Sequence, residues 1–134
     1  TALPLLLKGI LHPEDAKLAI ENGIDGLIVS NHGGRQLDGV IASIDALPGI
    51  VEMVDGKIPG LFDSGVRRGS DVIKAIALGA DGVCIGRPFV YGLAADGQNG
   101  VEHVLSNLCD EIRVSLSLAG AVRLQDVSGL IVKE

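Results

Sequence analysis

The chain has 134 residues, one domain's worth, with 47% apolar residues and a formal net charge of −6. This apolar content excludes a disordered chain, and the acidic balance argues against a surface for nucleic acid or another polyanion. Aromatic residues are only 2%, with no Trp, so the core must be Leu, Ile, Val and Ala, and no aromatic platform exists for stacking bases.

In chain order, Leu5-Leu6-Leu7 reads as a short strand closed by Lys8-Gly9. His12-Pro13-Glu14-Asp15 opens a helix that ends at Gly23, with Pro in the first turn and acids beside the positive helix end. Gly26 to Val29 is a second strand, followed by the loop Ser30-Asn31-His32-Gly33-Gly34-Arg35. Ile41 to Val54 reads as helical, with an interruption expected at Pro48-Gly49. Pro59 to Phe62 is a third strand, Gly69-Ser70-Asp71 an N-cap region, and Val72 to Leu78 a helix closed by Gly79. Val83 to Ile85 is a fourth strand. Gly86-Arg87-Pro88 starts a further helix, Gly100 to Leu118 is a long amphipathic one, and one more turn is expected near Leu124 to Val127.

The strands are continuous apolar runs, which points to a parallel sheet covered by helices. Residues 15–26 echo residues 71–82, with six identities at an offset of 56. That offset is two βα units. A two-unit repeat suits a (β/α)8 barrel, in which alternate strands fill the same core layers. Such a barrel needs about 250 residues, so four strands make half of one.

Polar and cationic residues come directly after every strand. In a parallel barrel all strand carboxyl ends lie on one face, and that face carries the active site. Asp63-Ser64-Gly65 and Gly86-Arg87 have the make-up of an anion cradle, with small residues, exposed amides and helix N-termini close by. Arg67 or Arg87 can add a bidentate contact. The other reading of these residues is ordinary turn glycines and solvated arginines; the barrel position favours the phosphate site. His32 has a side chain suited to a general base, and Arg35 offers a planar fork that matches a carboxylate. Lys8 is either a solvated strand-end lysine or a cation that stabilises a developing anion. His12 at a helix start and His103 on a helix read as structural. Cys84 reads as a small buried residue. Cys84 and Cys109 have neither metal-ligand nor disulfide spacing. No apolar stretch reaches the about 18 residues of a membrane span, no secretory leader is visible, and Val132-Lys133-Glu134 is no peroxisomal address. A reducing, cytoplasmic setting is expected. The start at Thr1, without an initiator Met, suggests further sequence upstream.

The segments LLLKGILHPEDA, IVSNHGGRQLD, LFDSGVRRGSDVIKAIALGADGV and IGRPFVYGLA, in this order, resemble the C-terminal half of the FMN-dependent α-hydroxy-acid oxidising enzymes. That family includes glycolate oxidase, lactate oxidase and monooxygenase, and lactate and mandelate dehydrogenases. The resemblance extends to about residue 125 and implies an α/β fold, the C-terminal half (strands five to eight) of a (β/α)8 TIM barrel, as one partial domain over residues 1–134. It implies FMN as cofactor and a small 2-hydroxy acid as substrate. His32 would be the base and would also touch substrate; Arg35 would bind the substrate carboxylate. Lys8 would stabilise the reduced, anionic ring and Ser30 would touch the flavin. Asp63, Ser64, Gly65, Val66 and Arg67 would hold ribityl and phosphate, and Gly86 and Arg87 the phosphate.

Two departures from the family pattern stand out. The family often has Asp-Gly-Gly where this chain has Asp63-Ser64-Gly65; serine is a minor change if residue 64 needs no positive φ. The family's N-terminal half, with its active-site tyrosines and an aspartate partner for the histidine, is missing, and Tyr91 does not fill those roles. Four parallel strands alone leave open edges and an uncovered face. The chain is therefore expected to belong to a longer enzyme or to pair with a complementary half, to be inactive alone, and to be homo-oligomeric when complete. The alternatives are a flavin-free barrel lyase or isomerase acting on a phosphorylated substrate, and a non-catalytic fragment.

Overall fold

A computed structural model of the protein describes residues 2–130; Thr1 and residues 131–134, with the Val132-Lys133-Glu134 tail, lie outside the described residues. Four strands, β1 (Leu6–Ile10), β2 (Gly26–Val29), β3 (Gly60–Phe62) and β4 (Gly82–Val83), alternate with the helices α1 (Pro13–Glu21), α2 (Ser43–Val54), α3 (Gly69–Ala77) and α4 (Arg87–Leu118). All four strands are parallel, in the order β1-β2-β3-β4. This is an open βα array with every carboxyl end on one edge.

One face of the sheet packs under helices. Leu27, Val29 and Phe62 are buried there against Ala16 and Ala19 of α1, Leu47, Ile50 and Val54 of α2, and Ala75 of α3. Strand side chains alternate between faces, and Ile28 and Leu61, on the opposite face, are only half-buried. On β1, Leu6, in register with Gly26 on that opposite face, is 48% exposed, and Leu7, beside Leu27 on the helix side, is 41% exposed at the sheet's edge. The sheet therefore has one finished side and one open apolar side.

The repeat is built into the hydrogen bonding. Asp25 donates its amide to the Leu5 carbonyl (2.9 Å) and accepts the Leu5 amide on its carboxylate (2.7 Å). Asp81, its echo, does the same to Gly60, at 2.9 and 2.7 Å. The β1–β2 and β3–β4 pairs are clasped at their amino ends by the same device.

Several local readings need correction. Strand β1 does not stop at Lys8; it runs on to Ile10, with an irregularity between Lys8 and Ile10 where Gly9 takes φ +104°. Pro48 does not interrupt α2, which is continuous across it. The burial of Ala46, Leu47, Ile50 and Val54 outweighs one missing amide donor. Strand β4 is two residues long, although the Cys84 amide still reaches the Phe62 carbonyl at 2.8 Å. The cap of α3 is Arg68, with the Asp71 carboxylate accepting the Arg67 and Arg68 amides, both at 3.0 Å. The two expected C-terminal helices form one long element broken at Asp96 and Gly97, whose backbone angles are not helical. A short 3-10 turn comes next, at Leu124–Val127. Among the described residues, no helix is long and apolar enough to cross a membrane.

Helix α4 closes on α3 through glycine. Gly69 is buried, its amide donates to the Glu111 carboxylate at 2.7 Å, and a Cβ there would strike the backbone of Glu111 and Ile112. Gly69→Ala should therefore lower the unfolding free energy by about 1–3 kcal/mol, the range for overpacking, as read by urea titration followed by circular dichroism.

Candidate active site at the strand carboxyl ends

Lys8 within β1 and the residues after β2, β3 and β4 line one cavity of about 560 Å³, within the range of about 300–1,000 Å³ typical of small-ligand sites. Its walls include Lys8, His32, Gly33, Arg35, Asp63, Ser64, Gly65, Val66, Arg67, Gly86 and Arg87. Of the residues singled out in the sequence, only Ser30 is not in the wall; it is fully buried just behind Lys8.

The centre of the site is an ion pair. The Lys8 Nζ lies 2.8 Å from Asp63 Oδ2 and donates to Ser30 Oγ at 2.6 Å. Burial pushes the Asp63 carboxyl up, but hydrogen bonds from Lys8, Ser30 and Ser64, with the Lys8 charge, prevail and hold it below its ordinary value of 3.8. The side chain of Asp63 is 19% exposed and that of Lys8 40%, so the pair is partly shielded from water.

The His32 loop is held by its amides. Four successive N–H groups, from Asn31 to Gly34, each find a side-chain oxygen. They are Ser43 Oγ (2.8 Å), Ser30 Oγ (3.0 Å), Ser64 Oγ (3.0 Å) and Asn31 Oδ1 (3.0 Å). The backbone needs this support, because His32, Gly33 and Gly34 all have positive φ, at 57°, 70° and 70°. For His32 the left-handed conformation is one that a side chain disfavours. The imidazole ring packs on Gly9, where a Cβ would lie 2.7 Å from Nε2. Neither the His32 ring nor the Arg35 guanidinium has a hydrogen-bond or ion-pair partner among the described residues. Both side chains are free for a ligand.

The cradle expected at the ends of β3 and β4 has the required form. The amides of Gly65, Val66 and Gly86 make no hydrogen bond to another described residue. The space around a would-be Cβ is open at both Gly65 and Gly86. Helix α4 begins at Arg87, so its N-terminal potential favours an anion there. The Arg87 Nη2 donates to the Gly33 carbonyl at 3.0 Å, and among the described residues the Arg67 guanidinium bonds only its neighbour's carbonyl, Val66 O, at 3.2 Å. These donors fit the phosphate of a nucleotide-like cofactor.

Two further expectations change. Ser64 has φ +81°, so the serine sits where the backbone favours glycine and the substitution is not minor. Cys84 is half-buried and borders the cavity, where burial, reinforced by the Asp63 charge, pushes its thiol up. His12 caps α1, its Nδ1 accepting the Glu14 amide at 3.2 Å, and His103 lies exposed on α4. Sequence reasoning missed Gly9, Ser43 and Gln36. The Gly in Lys-Gly at a strand end was the one available signal for the first; Ser43 opens a helix 12 residues from the amide it holds, and nothing local marks it.

A parallel βα array with a basic, phosphate-competent mouth defines a partial α/β barrel with a site suited to a phosphorylated ligand. Similarity to known proteins carries this further. A sequence profile described as FMN-dependent dehydrogenase matches residues 1–134. An L-lactate oxidase from Lysinibacillus sphaericus is 68% identical over 125 residues, which are 93% of this chain and 32% of that protein. The 2-hydroxyacid oxidase 1 of Mus musculus is 50% identical over 134 residues, the whole of this chain and 36% of its own length. A solved mandelate oxidase variant with an FMN adduct superposes with a TM-score of 0.91 at 49% identity, covering 95% of this chain and 40% of that one. The chain belongs to the FMN-dependent dehydrogenase family, and its fold is part of an α/β barrel. It spans about a third of the length of these curated relatives.

The Asp63 pair sets an acid dependence. A carboxyl depressed in the folded state adds stability that is fully present above 3.8 and is lost as pH falls through the lower folded value. Asp63→Asn should flatten the acid limb of a stability-against-pH curve below 3.8, measured by urea unfolding at a series of pH values.

Proposed function

We propose that this chain is the catalytic half, strands five to eight, of an FMN-dependent enzyme that oxidises a small L-2-hydroxy acid to the 2-oxo acid. The observation that carries the reading is the unpartnered His32 imidazole and Arg35 guanidinium on one turn, facing the same cavity as the Lys8–Asp63 pair. Family membership supports it, as do relatives named L-lactate oxidase and 2-hydroxyacid oxidase.

Each residue then has a role its chemistry suits. Arg35 holds the substrate carboxylate in a bidentate grip, which fixes the hydroxyl-bearing carbon. His32 takes a proton from the bound acid as general base. FMN, when bound, supplies the acceptor for the two electrons. Lys8, fixed by Asp63 and Ser30, offers positive potential where negative charge develops. Asp63 and the amides of Ser64, Gly65 and Val66 would hold the cofactor's ribityl and phosphate together with Arg67, Gly86 and Arg87.

The half-built state of the sheet belongs to the same reading. Leu5, just before β1, and Leu6 and Leu7 in it are all more than 40% exposed, an apolar edge suited to a complementary half-barrel. The chain alone would bind FMN weakly and turn over little. The complete enzyme would be a homo-oligomer in a reducing, cytoplasmic setting; the free thiols of Cys84 and Cys109 accord with that setting.

In the intact, FMN-loaded protein, His32→Gln should lower kcat on lactate or glycolate by about 10²–10⁴-fold, the usual contribution of a general base, while flavin absorbance stays at full occupancy. Arg35→Lys should act mainly on KM, because a point charge replaces the fork. Stopped-flow reduction of the bound flavin and steady-state kinetics check both. Undiminished turnover in the His32 variant would overturn the assignment.

A further inference from the structure

We propose that Ser64 is a positioning residue for His32, through a hydroxyl that ties the amide of Gly33 to the carboxylate of Asp63. The inference rests on His32 being the base.

Of the four side-chain oxygens that hold the His32 turn, three come from the same βα unit: Ser30, Asn31 and Ser43. Ser64 alone reaches in from the next strand, 31 residues away. Its hydroxyl donates to Asp63 Oδ1 at 2.8 Å and accepts the Gly33 amide at 3.0 Å. A hydroxyl can do both at once, with one proton given and one taken. Ser30 forms the parallel link: it accepts the His32 amide at 3.0 Å and the Lys8 ammonium at 2.6 Å, and Lys8 is paired with the same Asp63 carboxylate. Two consecutive amides of the turn are thus tied through two serines to the Lys8–Asp63 pair. The Asp63 carboxylate is itself fixed by Lys8 at 2.8 Å.

Gly33 is gripped from both sides. Ser64 holds its N–H, and Arg87 of the fourth unit holds its carbonyl at 3.0 Å. The peptide next to the base is therefore set by residues that also wall the anion cradle. This gives Ser64 a reason to be where it is. At φ +81° glycine would fit without strain, and serine does not. The hydroxyl is what the strained residue adds.

The test uses the intact, FMN-loaded protein with Ser64→Gly and Ser64→Ala. Glycine removes the hydroxyl and relieves the backbone; alanine removes the hydroxyl and keeps the strain. In both, deuterium exchange of the peptide spanning residues 31–35 should quicken by about 5–10-fold, the value of one lost hydrogen bond, with exchange in α2 unchanged. In both, kcat should fall by about tenfold, as for a slightly misplaced catalytic group, with KM for the hydroxy acid held within about twofold because Arg35 is untouched. If alanine prevents folding, glycine carries the test alone. Unchanged exchange at residues 31–35, or full kcat in Ser64→Gly, overturns the proposal. Fast exchange is read without turnover, so failure of the oxidase reading itself shows up separately, as full activity in His32→Gln.

Discussion

The site depends on a carboxylate that must stay ionised. Asp63 stands at the end of β3, where the backbone still pairs with β2 through its amide and the Val29 carbonyl at 3.0 Å. Its charge is costly to shield from water unless donors surround it. Lys8 and Ser64 are those donors, and Ser30 at the end of β2 holds Lys8 in place. One shielded charge therefore draws the ends of β1, β2 and β3 together. The fourth joins through Arg87 and the Gly33 carbonyl. The mouth of the array is a single hydrogen-bonded ring, and its geometry is inherited from the sheet beneath.

Much of this was legible in the residues. Apolar runs without alternation point to a parallel sheet, and the polar segment after each run points to a common face. The carbonyl ends of parallel strands all aim the same way, so the residues just past each strand become the cavity wall. Lys8, His32, Asp63 and Arg87 therefore stand together although they are scattered along the chain, with Ser30 one layer behind. The residues expected to form an anion cradle stand together for a similar reason: Asp63-Ser64-Gly65 and Gly86-Arg87 follow neighbouring strands and line the same cavity.

The features hidden from the sequence lie in backbone angles and in partners distant along the chain. Nothing in Asp-Ser-Gly announces that the serine is left-handed, because the link to Gly33 spans two βα units. Pro48 misleads for the opposite reason; it carries a local signal that burial on both sides of it overrides. Gly9 looked like a strand terminator, whereas its missing Cβ leaves room for the His32 ring. Cys84 reads as core because its neighbours are apolar, yet β4 has ended by then and the side chain borders the cavity.

The twin aspartate clasps, Asp25 on Leu5 and Asp81 on Gly60, sit at the edge of the sheet opposite the mouth. A slide of one residue between strands would turn every side chain to the wrong face. Fixing alignment at the rear leaves the front loops exempt from that task. Insertions or exchanges there can alter the shape of the cavity while the scaffold keeps its phase, so the quiet end of the molecule is what leaves the busy end free to vary.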